Sequence, residues 1–297
     1  MTDHRCFAPR GLEAFAAAYP GGPAAVRHRL HDHPLFAQEA LAQLAERLPE
    51  SHVEHSFGNL AVDQDPAGVR RAAMPVGEIV RTIDDNGCWM VLKKVDVDPA
   101  YAALIDACLG ELAPVTEPRT GACRRREAFI FLSSPNSVTP FHMDPEHNIL
   151  LQIAGTKTMR VYPAGDLSIV PAEVHEAFHR GGRHRNMRHD PAFDAKAQDH
   201  RLAPGDAVYV PVKAPHWVQN GPTRSVSFSI TWRSDESDGE ARLHRVNQRL
   251  RRVGWTPAAP GENRAADAAK VTAHRVAKSA TATARRLLGR ERERSAY

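Results

Sequence analysis

Thr139-Pro140-Phe141-His142-Met143-Asp144 is the stretch whose reading decides the fold. On a strand, residues two apart face the same way, so His142 and Asp144 are expected on one side of a sheet and Met143 on the other. An imidazole and a carboxylate presented together are two metal ligands. A third ligand from a strand across a barrel would complete one triangular face of an octahedron and leave three positions open, the geometry of non-haem Fe(II) oxygenases. The triplet alone carries little weight, because a chain with 16 His contains roughly one His-x-Asp by accident.

The sequence on either side supplies the sheet. Phe129 to Leu132, Asn148 to Ile153, Thr158 to Tyr162, Ala207 to Val210 and Val226 to Trp232 are short and rich in β-branched, aromatic or aliphatic residues. Gly155, Pro163-Ala164-Gly165, Pro204-Gly205 and Asn220-Gly221-Pro222 punctuate them. Repeated short strands separated by such turns predict an antiparallel sandwich or barrel. Further upstream, Cys88 to Leu92 reads as a buried strand, and apolar stripes at helical spacing predict helices over 36–48 and 100–112. The stretch from Pro171 to His200 is polar and rich in His and Arg, and is expected to form a loop or short helices near one barrel mouth.

The third ligand is expected at His216. It follows Gly205-Asp206-Ala207-Val208-Tyr209-Val210-Pro211, with Asn220 four residues beyond it. This run resembles the second motif of the cupin superfamily, Gly-x5-Pro-x-Gly-x2-His-x3-Asn, with Lys213 in place of the internal glycine. The first motif is also present as His142-x-Asp144-x3-Asn148-x6-Gly155, with Asp for the second His and Asn for the usual Glu. The pattern is similar to the JmjC-type branch of cupins, the Fe(II) and 2-oxoglutarate dependent hydroxylases and demethylases, and within it to bacterial cupin-like and asparaginyl hydroxylases. The resemblance covers roughly Phe129 to Trp232.

That resemblance implies a site. His142, Asp144 and His216 would hold Fe(II), Lys157 would pair with the distal carboxylate of 2-oxoglutarate, and Thr139 would donate a hydrogen bond to it. Asn148 would orient ligands or cosubstrate, and O2 would take the remaining position. A buried carboxylate needs a counter-charge and donors, which Lys157 and Thr139 provide. The reaction implied is hydroxylation of an unactivated C–H bond, foremost on an amino-acid side chain of a protein or peptide. A small metabolite and an N-methyl group are the alternative substrates. A non-catalytic cupin that binds a ligand or regulates transcription is the rival reading, and the open triad together with Lys157 speaks against it.

Composition sets the frame. At 297 residues with 42% hydrophobic content the chain can bury a substantial core. Four separated cysteines with no CxxC pair suggest free thiols in a reducing compartment, and no apolar run is long enough for a membrane span, so a cytoplasmic protein is expected. The net charge of +4 conceals an asymmetry: residues 241–297 hold fourteen Arg and Lys against four Asp and Glu, +10, which leaves −6 for the rest. That basic tail lacks interleaved aromatics apart from Trp255, so nucleic acid is not the expected partner. His31-Asp32-His33 and the group His175, His179, His184 and His189 lack a strand frame or cysteine partners and are not read as zinc sites.

The expected architecture is mainly β with α additions: a double-stranded β-helix (cupin or jelly-roll) core with N-terminal α/β elements and C-terminal helices. An α/β scaffold would occupy 1–126, the catalytic core 127–234 with its insert at 171–200, and basic helices 235–297. Helices following the barrel often dimerise in JmjC-type hydroxylases, which implies a homodimer through this last segment.

Overall fold

A computed structural model describes residues 5–57, 62, 72–181 and 187–273. Eleven strands and six α-helices are used below: α1 (Pro9–Ala18), β1 (Ala24–Arg27), α2 (Gln38–Arg47), β2 (Val53–Phe57), α3 (Val76–Arg81), β3 (Cys88–Lys93) and α4 (Pro99–Thr120), then β4 (Arg124–Ser133), β5 (Val138–His142), β6 (His147–Ala154), β7 (Lys157–Val161), α5 (Ala172–Phe178), β8 (Gln198–Leu202), β9 (Asp206–Val210), β10 (His216–Asn220), β11 (Ser225–Arg233) and α6 (Asp235–Arg252). The strands form two antiparallel sheets. One has seven strands in the order β1-β9-β6-β11-β4-β3-β2, the other four in the order β5-β10-β7-β8.

The alternation of β11 shows why the large sheet has two different faces. In Ser225-Val226-Ser227-Phe228-Ser229-Ile230-Thr231-Trp232 the even positions enter the main hydrophobic core. There they join Ile149, Leu151 and Ile153 of β6, Ile130 and Leu132 of β4, and residues of α1, α2, α3 and α4. The odd positions carry only hydroxyls and face the other way, between the sheets. On that inner side a smaller apolar cluster joins Leu150, Val208 and Val210 of the large sheet to Met159, Val161, Leu202 and Val218 of the small one. The two sheets thus form a sandwich with α1, α2, α3 and α4 packed over the larger one, as the jelly-roll expectation required.

Several elements differ from expectation. β8 lies within and just beyond the stretch read as a loop; Gln198-Asp199-His200-Arg201-Leu202 buries one apolar side chain and pairs only with β7, so an edge strand hides behind a solvated sequence. The helix expected over 100–112 runs to Thr120 despite Pro114 and Pro118. Thr116 and Thr120 are buried on it, and Thr120 Oγ1 shares a 2.5 Å hydrogen bond with the Tyr19 hydroxyl, so packing holds the last two turns. β1, β2 and β3 of the N-terminal region belong to the same sheet as β4.

The chain divides into two compact units, Met1–Val170 with Arg183–Ser237, and Pro171–Gly182 with Asp238–Tyr297. In the second, α6 and α5 are tied by a paired Arg251–Glu176 contact at 3.0 Å. Residues 264–273 are helical; the rest of the helix expected over 265–288 lies outside the described residues. No described helix is long and apolar enough to cross a membrane. Cys6, Cys88 and Cys108 are buried and Cys123 half-buried, all as free thiols.

Candidate metal centre

β5 and β10 are antiparallel neighbours, and their register sets His142 directly opposite His216. The two imidazole centroids are 4.2 Å apart. Asp144 Oδ2 is 4.0 Å from His142 Nε2 and 3.7 Å from His216 Nε2. Among the described residues this is the one group of His, Cys, Asp and Glu whose donor atoms converge within 4.8 Å.

The backbone fixes which nitrogen each ring offers. His142 Nδ1 is 2.7 Å from the Pro140 carbonyl and His216 Nδ1 is 2.9 Å from the Ala214 carbonyl, two residues back in both cases. A carbonyl can only accept, so each Nδ1 carries the proton and each Nε2 lone pair faces the other ligands. Two imidazole Nε2 atoms and a carboxylate oxygen suit a divalent metal of intermediate hardness, and iron fits this N2O donor set.

Asp144 reaches the group by a route that strand alternation does not describe. β5 ends at His142, and Asp144 lies in the turn beyond it. Its carbonyl accepts the backbone N–H of Lys213 at 2.9 Å, which pins the turn to the loop before β10. Lys213 stands where the second cupin motif has its internal glycine, and its φ is +62°, in the left-handed region glycine favours. The departure from the motif therefore marked a real backbone requirement, filled here at the cost of some strain.

A cavity of about 490 Å³ opens beside the triad. His142, Asp144, Thr139 and Asn148 line it, with Trp89, Phe129 and Phe131 as its aromatic wall and Glu54, Glu127 and Glu146 as acids at its margin. Asn148 is buried, and its Oδ1 accepts the Ser229 hydroxyl at 2.8 Å, which leaves the amide Nδ2 as the group it can offer a ligand. Glu146 is held by Arg233 at 2.7 Å, yet burial pushes its carboxyl up to about 7. None of the cavity's aromatic residues was assigned from sequence. Their signal was the alternation of β3 and β4, where Trp89, Phe129 and Phe131 occupy the positions between those in the main core.

Lys157 does not line this cavity. It opens β7, opposite Asn220 of β10, on the buried side of both strands. On that side the β7–β10 pairs run Val161↔His216, Met159↔Val218 and Lys157↔Asn220, so Lys157 lies two steps along from the metal ligand on the same face. Thr139 on β5 pairs with Val218, one step along. Lys157 is 6% exposed, and burial lowers its pKa to about 7. It borders a second cavity of about 370 Å³ with Asn220, Thr158 and Arg201. The structure thus brings together His142, Asp144, His216, Thr139 and Asn148, and sets Lys157 two strand steps from His216, beside the second cavity.

Residues 27–238 match the cupin-like domain family, and the chain belongs to that family. Among curated relatives it is 31% identical over 106 residues to lysine-specific demethylase 8 of Xenopus tropicalis, covering 32% of this chain and 22% of that protein. It is also 31% identical over 114 residues to lysine-specific demethylase JMJ30 of Arabidopsis thaliana, covering 35% of this chain and 25% of the relative. The matched region thus spans about a quarter of the relatives' length. A solved structure of YcfD, a ribosomal oxygenase from Escherichia coli in complex with cobalt and 2-oxoglutarate, aligns with 84% of this chain and 58% of its own at 17% identity and a TM-score of 0.47.

Proposed function

We propose that this chain is an Fe(II) and 2-oxoglutarate dependent oxygenase that hydroxylates a side chain of a protein or peptide. The observation that carries the reading is the triad itself: two imidazole nitrogens and one carboxylate oxygen within 4.8 Å of one another, with the Nδ1 of each ring turned to a backbone carbonyl so that Nε2 is left to ligate. The names of the relatives, lysine-specific demethylases, support the oxygenase class and a protein substrate.

His142, Asp144 and His216 would hold the iron on one face. When bound, iron with 2-oxoglutarate and O2 supplies the oxidant for C–H hydroxylation, with succinate and CO2 as coproducts. The chain's own residues do the rest. Lys157, 6% exposed, neutralises the distal carboxylate, and Thr139, one step nearer the metal, offers its hydroxyl. Asn148, braced by Ser229, directs its Nδ2 into the cavity. Trp89, Phe129 and Phe131 exclude water from the reacting carbon and receive the aliphatic part of the substrate.

The test is 2-oxoglutarate binding by titration together with succinate formation in the presence of Fe(II) and ascorbate. Wild type is expected to do both, whereas His142→Ala is expected to lose turnover by roughly a hundredfold or more. Equal behaviour of the two proteins, with no detectable binding to either, overturns the reading and leaves the non-catalytic cupin. Homodimerisation is part of the same proposal. Leu243, Val246 and Leu250 of α6 are half-exposed and continue into Val253 and Trp255, which are 71% and 69% exposed.

A further inference from the structure

The residue opposite Lys157 has an unmet need of its own. Asn220 is 3% exposed. Its backbone N–H and its Nδ2 both donate to the Ser137 carbonyl, at 2.9 and 3.0 Å. Its Oδ1 is buried and has no hydrogen-bond partner among the described residues. A buried acceptor left unmade is costly, typically by ~1–3 kcal/mol, so such an atom calls for a donor. Across the β7–β10 ladder the direct neighbour is Lys157, an ammonium with three N–H donors whose pKa is lowered by burial. Directly opposed antiparallel residues have Cβ atoms ~5 Å apart, within reach of one lysine rotamer change.

We propose that Asn220 is the positioning residue for the cosubstrate anchor: its Oδ1 accepts one Lys157 N–H and so holds the ammonium charged and aimed at the distal carboxylate of a 2-oxo acid. The ammonium meets the need of the orphaned oxygen, and the remaining N–H groups of Lys157 are left for the ligand. Asn220 has a second hold on the same carboxylate. By clamping Ser137 it fixes the entry to β5 two residues before Thr139, the hydroxyl donor on the neighbouring strand.

The charged groups around Lys157 do not compete for this role. Arg160 of β7 faces outward to Asp194 and Asp199. Arg201 of β8 has the same sign as Lys157, and Asp206 of β9 is engaged by Arg27 and the Ala203 N–H. β10 contributes no acid.

The inference rests on the 2-oxoglutarate reading, and two substitutions separate it from that reading and from a purely structural role. Asn220→Ala removes acceptor and donor; Asn220→Asp keeps the acceptor and loses the donor to Ser137. The measurement is 2-oxoglutarate affinity of the metal-loaded protein by calorimetric titration between pH 6 and 9, with thermal unfolding alongside. The expected result is that Asn220→Ala weakens binding roughly tenfold or more, the value of one hydrogen bond to a charged group, and that its affinity falls off at lower pH than in wild type. Asn220→Asp is expected to bind nearly as wild type while unfolding at a lower temperature. If both variants bind equally weakly and both are destabilised, Asn220 acts only through Ser137 and the inference is overturned; unchanged affinity in Asn220→Ala overturns it too. If wild type itself binds no 2-oxoglutarate, the failure belongs to the proposed function.

Discussion

The ammonium of Lys157 sits where an amine is better neutral than charged. An ordinary lysine titrates at 10.5, and in this fold burial brings the value down to about 7. Between those limits the unfolded chain holds a proton that the folded chain has released, so stability rises with pH across that window. Below pH 7 both states are protonated, and the penalty for burying the charge is present in full. Chemical denaturation of the ligand-free protein from pH 7 to 10 is expected to show wild type gaining on Lys157→Met by up to ~1.4 kcal/mol per pH unit. Parallel curves would mean that Lys157 reaches water. Binding of a carboxylate has the opposite sign: it requires the charged amine, so affinity for 2-oxoglutarate should decline as pH rises above about 7. The residue scale is also where the sequence spoke most clearly. His142, Asp144 and His216 were each named from their motif, and the fold sets their donor atoms together. Asn220 was visible as the motif's last residue, but its orphaned oxygen belongs to three dimensions and leaves no mark in a string of letters.

Among the elements, the β6–β7 hairpin is the most exacting. Gly155 turns the chain at φ +67°, and a Cβ there would run into the Arg224 carbonyl. Lys157 follows two residues later, so the turn that a side chain would break also places the anchor. Gly155→Ala should cost ~2 kcal/mol or more, read as a drop in denaturation midpoint, with loss of 2-oxoglutarate affinity in the fraction that folds. A midpoint unchanged within error would show the turn to be adaptable. Elements with a buried side were legible because alternation survives in the sequence: β3, β6, β7, β9 and β11 appear within a residue of their expected limits, whereas β4 starts at Arg124, five residues before the expected Phe129, because its first residues are charged and exposed or half-buried. β8 left no such trace, because four of its five residues are polar and its order comes from pairing with β7 alone. α4 was read too short for the converse reason, since two prolines state a local preference that tertiary packing overrides.

For the whole molecule, the family and the sandwich follow from two motifs and their strands, whereas the unit formed by α5 and most of α6 does not. Its sequence is arginine-rich and its pattern weak, and the pairing of Arg251 with the buried Glu176 joins residues 75 apart. If α6 and the exposed Val253 and Trp255 form a self-association surface, light scattering should give the mass of two chains for wild type. The double substitution Val253→Glu with Trp255→Ser should give the mass of one without lowering the unfolding temperature, because both side chains are already exposed. A wild-type monomer would remove this proposal and leave the site chemistry untouched.

The two faces of β11 carry a consequence for descent. Val226, Phe228, Ile230 and Trp232 are committed to a close-packed interior, where a changed volume is punished. Ser229 and Thr231 alternate with them and border the ligand cavity instead. Selection can therefore enlarge, narrow or recharge the chamber by altering every second letter of one strand while the alternate letters keep the architecture intact. Structural inheritance and chemical novelty are interleaved in a single stretch of nine residues, which lets a lineage explore new substrates without first rebuilding its frame.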